Sequence, residues 1–153
     1  MANGQTSVKD RELIINRIFN ASRELVFNSW TDPEHLQKWW GPSGFTIMIQ
    51  EIDVRPGGVW QYVMHGPDGV DYDNKIVYIE VISPERLVYS HGDGEEEHFR
   101  VTVTFNEQGD KTELTMQMLF KSVAELDKAV KEYGAIEGAK STLNRLEEQL
   151  ATV

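Results

Sequence analysis

The sequence predicts an α+β domain: a curved antiparallel sheet of six to seven strands wrapped around a long C-terminal helix, with two short helices after the first strand. Three observations carry this. From Phe45 to Phe120, apolar and polar residues alternate with period two between short turn segments. From Ser122 to about Leu150, the apolar spacing changes to three and four. Ahead of both lie two capped helical stretches, the second ending in Trp39-Trp40-Gly41-Pro42.

Residues 1–10 read as a disordered leader and residues 11–153 as a single domain. Met1-Ala2-Asn3-Gly4-Gln5-Thr6-Ser7 has no hydrophobic core and cannot act as a secretory signal. Arg11 to Phe19 suits a strand, with Leu13, Ile15, Arg17 and Phe19 on one face and Ile14, Asn16 and Ile18 on the other. Ser22 can cap a helix through about Trp30, whose buried stripe is Leu25, Val26 and Trp30. Asp32 caps the next helix, Pro33 suits its first turn, and Gly41-Pro42 stops it. Thr31 and Glu34 offer an alternative capping box. Neighbouring helical residues point about 100° apart, so Trp39 and Trp40 should diverge. One is expected to anchor the helix while the other lines a cavity or an edge. Two core tryptophans pinning the helix is the alternative.

The strands follow at Phe45–Val54, Val59–His65, Tyr72–Ile82, Arg86–His91, Glu97–Phe105 and Thr112–Phe120. The punctuating turns include Arg55-Pro56-Gly57-Gly58, Gly66-Pro67-Asp68-Gly69 and Ser83-Pro84-Glu85. Connections this short join antiparallel neighbours, because a parallel crossover needs about a dozen residues. Ser122-Val123-Ala124-Glu125 is a capping box for the last helix. Gly134 and Gly138 interrupt its helix formers at about 1 kcal/mol each relative to Ala, a cost that close approach of a backbone or ligand would explain. Such a helix is the one element long enough to cover the apolar face of the sheet.

Twenty-five acidic against fifteen basic residues give a net charge of −10. That balance opposes nucleic acid and anionic membranes, which need a cationic surface; solubility alone also explains it. No apolar run approaches the length of a membrane span. The chain has no cysteine, which rules out disulfides and thiolate metal sites and agrees with a cytoplasmic setting.

Ala21 to Glu34, Lys38-Trp39-Trp40-Gly41-Pro42, Asp53-Val54-Arg55-Pro56-Gly57-Gly58, Ser83-Pro84-Glu85-Arg86-Leu87 and Glu137 to Leu146 form an ordered set of motifs. With the order of elements, this set resembles the helix-grip fold of the START-like, birch-pollen-allergen-like (SRPBCC) superfamily. The branch it is most similar to is that of the C-terminal domain of the heat-shock-protein-90 ATPase activator. The resemblance implies a cavity between sheet and long helix that takes an apolar or amphipathic small molecule, a lipid or an aromatic metabolite. Some branches are cyclases, and the namesake of this branch stimulates a chaperone's ATPase. A cyclase- or hydrolase-type enzyme and a chaperone-regulating module are therefore the alternative functions. The motifs are mostly turn and packing residues, so the resemblance transfers no catalytic residue. A monomer and a homodimer both stay open.

The residues add their own evidence for a ligand cavity. Trp60, Tyr62 and Met64 share one strand face, Tyr89 lies on another strand, and Met116, Met118 and Phe120 on the last. Tyr133 and Ile136 on the long helix are expected to face them, with Trp39 and Trp40 at one end. Methionine adapts to irregular apolar space, and Tyr and Trp bring polar handles into apolar walls. A filled core is the alternative at each position. No catalytic residue, metal ligand or cofactor is assigned. Arg55-Pro56-Gly57-Gly58-Val59 lacks the Lys-Ser/Thr and following helix of a phosphate loop. His91 and His98 flank the acidic hairpin Asp93-Gly94-Glu95-Glu96-Glu97 and suggest a metal pair. A solvated hairpin whose charge blocks edge pairing accounts for them as well. His35 and His65 stand alone, as surface or packing residues.

Overall fold

The structure, a computed structural model, describes residues 4–92 and 96–152. Eight antiparallel strands form one sheet in the order β1-β2-β8-β7-β6-β5-β4-β3. They are β1 Gly4–Lys9, β2 Glu12–Phe19, β3 Thr46–Ile52, β4 Val59–His65, β5 Asp71–Ile82, β6 Arg86–Gly92, β7 Glu97–Gln108 and β8 Lys111–Phe120. The helices are α1 Arg23–Thr31, α2 Pro33–Trp39, α3 Val123–Tyr133 and α4 Ala135–Leu150. The expected α+β helix-grip architecture is present. β3 to β8 follow one another as hairpin neighbours, and β2 closes against β8.

Two expectations change. The sheet has one strand more than expected, because residues 4–9 of the anticipated disordered leader pair with β2 from Gly4↔Arg17 to Lys9↔Glu12. The segment Gly-Gln-Thr-Ser-Val-Lys has no buried face, so its pairing is a backbone matter that apolar alternation cannot reveal. Asp10, at φ 54, makes the reversal, a conformation that Asp tolerates better than most residues. The single long C-terminal helix is instead two. Gly134 adopts φ 60, ψ 41 and ends α3 with its N–H on the Ala129 carbonyl. This is a left-handed helix stop that glycine accepts without a Cβ penalty. Nothing lies within 4 Å of a Cβ built at Gly134, so close approach is not its role.

The helix caps explain the two short helices. Ser22 Oγ accepts from Leu25 N (3.3 Å), and Asp32 Oδ1 accepts from Glu34 N (2.9 Å). The alternative Thr31 box is unused, since Thr31 Oγ1 donates to the Phe27 carbonyl (3.0 Å). Val26, Phe27 and Trp30 bury the inner side of α1, and Phe27 meets Phe105 of β7 edge-on at 5.2 Å.

Curvature of the sheet comes from register shifts at Ile49/Glu51, Tyr78/Glu80 and His91/Gly92, because a bulge bends its strand and steepens the local twist. The shift in β5 adjoins the Arg55–Gly58 turn: Gly57 N donates to Tyr78 O (2.7 Å) and Tyr78 N to Gly58 O (2.9 Å). A Cβ at Gly58 would stand 1.9 Å from Asp53 O, so that turn requires glycine. The core runs along the concave face, from Leu13, Ile15 and Phe19 through Leu114, Val103 and Leu87 to Ile76 and Trp60. Leu126 of α3 and Leu143, Leu146 and Leu150 of α4 close it from the helical side.

Replacing Gly134 by Ala should lower the unfolding free energy in urea by about 1 kcal/mol, the cost of a Cβ in the left-handed region. A gain in stability would mean that α3 and α4 form one continuous helix.

Candidate functional site

A cavity of about 680 Å³ lies between the concave face of the sheet and the helices. That is within the range of about 300–1,000 Å³ seen for small-molecule sites. Its closed end is an aromatic stack. Trp30 and Trp39 meet at 4.9 Å, Trp39 and Trp40 at 5.3 Å, Trp40 and Trp60 at 4.9 Å, and Trp60 and Tyr62 at 4.5 Å. Trp39 is fully buried and its indole N–H donates to the Ser29 carbonyl (2.9 Å). Trp40 is also buried, which the 100° argument did not foresee. Its backbone (φ −68, ψ 127) has already left the helix, so its ring is free to swing towards the same cavity as that of Trp39. Both tryptophans line it.

Of the other expected wall residues, Tyr62, Met64, Tyr89, Met116, Met118 and Phe120 line the cavity. Trp60 does not: its ring packs against Trp40 at 4.9 Å, on the side away from the cavity lining. Ile136 packs against the core beside the cavity, since on α4 the wall positions are Ala135, Gly138, Ala139, Thr142 and Leu143, and successive helical residues point about 100° apart. The Tyr133 side chain lies outside the described residues, as does the acidic hairpin tip at 93–95. Sequence reasoning passed over Trp30, His91 and Phe99, all of which line the cavity. Period two from Tyr89 reaches His91, and back from Val101 reaches Phe99, so the signal was present. In the sequence His91 reads as half of a metal pair or as part of a solvated hairpin. Among the described residues, no cluster of three or more His, Asp or Glu side chains is arranged to hold a metal ion. His65 pairs its Nδ1 with Asp71 Oδ1 at 2.6 Å.

Helix α4 holds this end together through one face. The Gly138 position meets Pro42, with 3.7 Å from a built Cβ to Pro42 Cγ. Ser141 Oγ accepts from Ser43 N (2.8 Å). Arg145 Nη1 donates to the carbonyls of Gly41 (2.9 Å), Pro42 (3.1 Å) and Phe45 (3.1 Å), and its Nη2 to Lys38 O (3.1 Å). The rigid guanidinium fork suits several acceptors at once.

A polar network crosses the apolar wall. Trp40 Nε1–H donates to the Tyr62 hydroxyl (2.9 Å). His91 Nε2 stands 3.0 Å from Asn74 Oδ1 and 3.3 Å from the Tyr62 hydroxyl. Asn74 Nδ2 donates to Tyr72 O (3.1 Å), which turns Oδ1 to His91 and assigns the imidazole proton to Nε2. Burial, with His98 nearby, lowers the His91 pKa to about 4, so the ring is neutral near pH 7. Burial raises the pKa of Tyr62, Tyr78 and Tyr89, keeping all three protonated. The Trp30 indole N–H lies close enough to the Tyr89 hydroxyl to oppose that rise slightly, yet it makes no hydrogen bond. Glu125 and Lys128 of α3 stand on the rim, exposed.

A curved antiparallel sheet gripping C-terminal helices around such a cavity defines a START-like, SRPBCC-class domain. The chain belongs to the family described as activator of Hsp90 ATPase homolog 1-like protein, whose model matches residues 20–151. The match takes in the Trp39-Trp40-Gly41-Pro42 segment and the Arg145 that holds it. Among solved structures it is similar to a Mycobacterium smegmatis protein at 27% identity, covering 97% of each chain with a TM-score of 0.88. A Nitrosomonas europaea protein is 26% identical over 92% of this chain and 94% of its own, with a TM-score of 0.84. An Arthrobacter aurescens protein at 22% identity shares the fold, with a TM-score of 0.90 over 97% of this chain and 92% of its own. Comparison with curated proteins gave no match.

Two outcomes follow from this geometry. Arg145→Met should cost about 3 kcal/mol in urea unfolding, because carbonyls at a part-buried site lose a charged donor; an unchanged midpoint would show that the fork carries little. His91 titrates at about 4 in the fold against 6.5 ordinarily. As pH falls from 6.5 to 4, the unfolded chain therefore takes up the proton first, and stability is lost through that window by up to about 3 kcal/mol. The stability difference between wild type and His91→Gln, measured in urea at pH 7 and 4.5, should shift against wild type at the lower pH. A difference independent of pH would contradict the buried neutral imidazole.

Proposed function

We propose that this protein binds an apolar small molecule, a lipid or an aromatic metabolite, in the cavity between the sheet and α3–α4. The observation that carries the reading is a space of about 680 Å³ walled by Met64, Met116, Met118 and aromatic rings, with one part-buried polar network beside it. An apolar interior of ordinary packing density holds few voids larger than a water molecule. Thioether side chains, which rearrange readily, suit ligands of varied outline. The acidic balance and lack of cysteine fit action in the cytoplasm.

Native mass spectrometry and thermal denaturation against fatty acids and fused-ring aromatic compounds test this. A one-to-one bound mass is expected, with stabilisation of about 2.7 kcal/mol at a hundredfold excess over Kd. Ala139→Phe, which places a ring in the cavity, should weaken binding at least about tenfold, the equivalent of 1.4 kcal/mol. Absence of any bound mass and of any thermal shift across both compound classes would overturn the reading.

A further inference from the structure

We infer that the cavity selects apolar ligands carrying a neutral acceptor oxygen, a carbonyl above all, which takes its hydrogen bond from the Tyr62 hydroxyl. This rests on the proposed ligand-binding reading and adds the chemistry of its polar end.

A tyrosine O–H offers one proton and two lone pairs. At Tyr62 one lone pair accepts from the Trp40 N–H at 2.9 Å, and His91 Nε2 stands 3.3 Å away. The usual partner for the remaining proton would be the imidazole nitrogen. That nitrogen is occupied, because Asn74 Oδ1 can only accept and so requires the proton on Nε2. The Tyr62 proton is therefore left without an acceptor among its hydrogen bonds; the residue borders the cavity with its own surface covered, so a ligand oxygen reaches the hydroxyl only when neighbouring wall side chains shift. An unmet buried donor costs about 1–3 kcal/mol, a cost that a ligand oxygen removes. Tyr89, on the neighbouring side of the same wall, brings a second protonated hydroxyl that makes no hydrogen bond to the Trp30 N–H.

The same surroundings argue against an anion. His91 is neutral near pH 7, and among the described lining residues Lys128, Glu96 and Glu125 are exposed. A carboxylate or phosphate buried against Tyr62 would lose hydration without a paired charge. A carbonyl asks only for a donor.

Two probes of nearly equal shape separate these possibilities: 2-acetylnaphthalene and 2-ethylnaphthalene, which differ by C=O against CH₂. Kd is measured for each by calorimetry with wild type and Tyr62→Phe. Comparing the same probe between proteins cancels its hydration in water. The variant should bind the ketone about 3–10-fold more weakly, the worth of one hydrogen bond, and the hydrocarbon with less than about twofold change on that scale. In parallel, the carbonyl stretch of the ¹³C-labelled ketone on wild type should fall below its value in hexane, a readout that stands if Tyr62→Phe does not fold. Equal effects on both probes, or a hexane-like stretch on wild type, would overturn the inference and leave the cavity as a ligand site. Failure of both probes to bind wild type would overturn the inference together with the reading beneath it.

Discussion

The contact on which the site depends is the Arg145 guanidinium on the Lys38, Gly41, Pro42 and Phe45 carbonyls. Lys38 is in the last turn of α2 and residues 40–45 link that helix to β3, so these carbonyls lack helix or ladder partners of the regular kind. An arginine on α4 supplies them from more than ninety positions further along the chain. The contact fixes the spacing between α4 and the end of α2, and with it the depth at which Trp39 and Trp40 sit. Gly138 and Ser141 extend the same helical face, one by leaving room for Pro42 and the other by accepting from Ser43. A helix that is pinned at this end and broken at Gly134 cannot collapse onto the sheet along its whole length.

Space remains for that reason. The bulges in β3, β5 and β7 bend the sheet. The tryptophan stack fills the end beneath α1 and α2 with edge-to-face rings, an arrangement favoured by their quadrupoles. Beyond Trp40 the wall changes to methionine, phenylalanine and tyrosine, and the helix offers Gly138 and Ala139 where larger residues would close the gap. The Trp40–Tyr62–His91–Asn74 network spans the boundary between the packed and open regions. Burial holds both its titratable members neutral, so the network keeps one hydrogen-bonding pattern near pH 7.

Period two along β4, β6 and β8 made much of the wall legible, since residues 60, 62 and 64, or 116, 118 and 120, must share a face. The helix caps at Ser22 and Asp32 were equally readable because a cap is a local device. What escaped was long-range or backbone in origin. β1 exists through ladder pairing of a polar segment, with no apolar signature. The break at Gly134 and a tolerated glycine leave the same letters in the sequence. Whether Trp60 or Trp40 borders open space depends on what lies above each ring, which neighbours along the chain do not determine. Arg145 lay within a motif that was visible, but its four acceptors sit a hundred residues away.

The central claim is that the space beneath α3 and α4 takes an apolar ligand. Its most direct test is nuclear magnetic resonance of ¹³C-methyl-labelled methionine during titration with 2-acetylnaphthalene. Met64, Met116 and Met118 line the cavity, while Met48 is 51% exposed on β3 and serves as an internal control. Saturable shifts of the three cavity methyls, with Met48 unmoved, are what this account requires. Shifts at Met48 alone, or equal small shifts at every methyl, would place the ligand on the surface and contradict it.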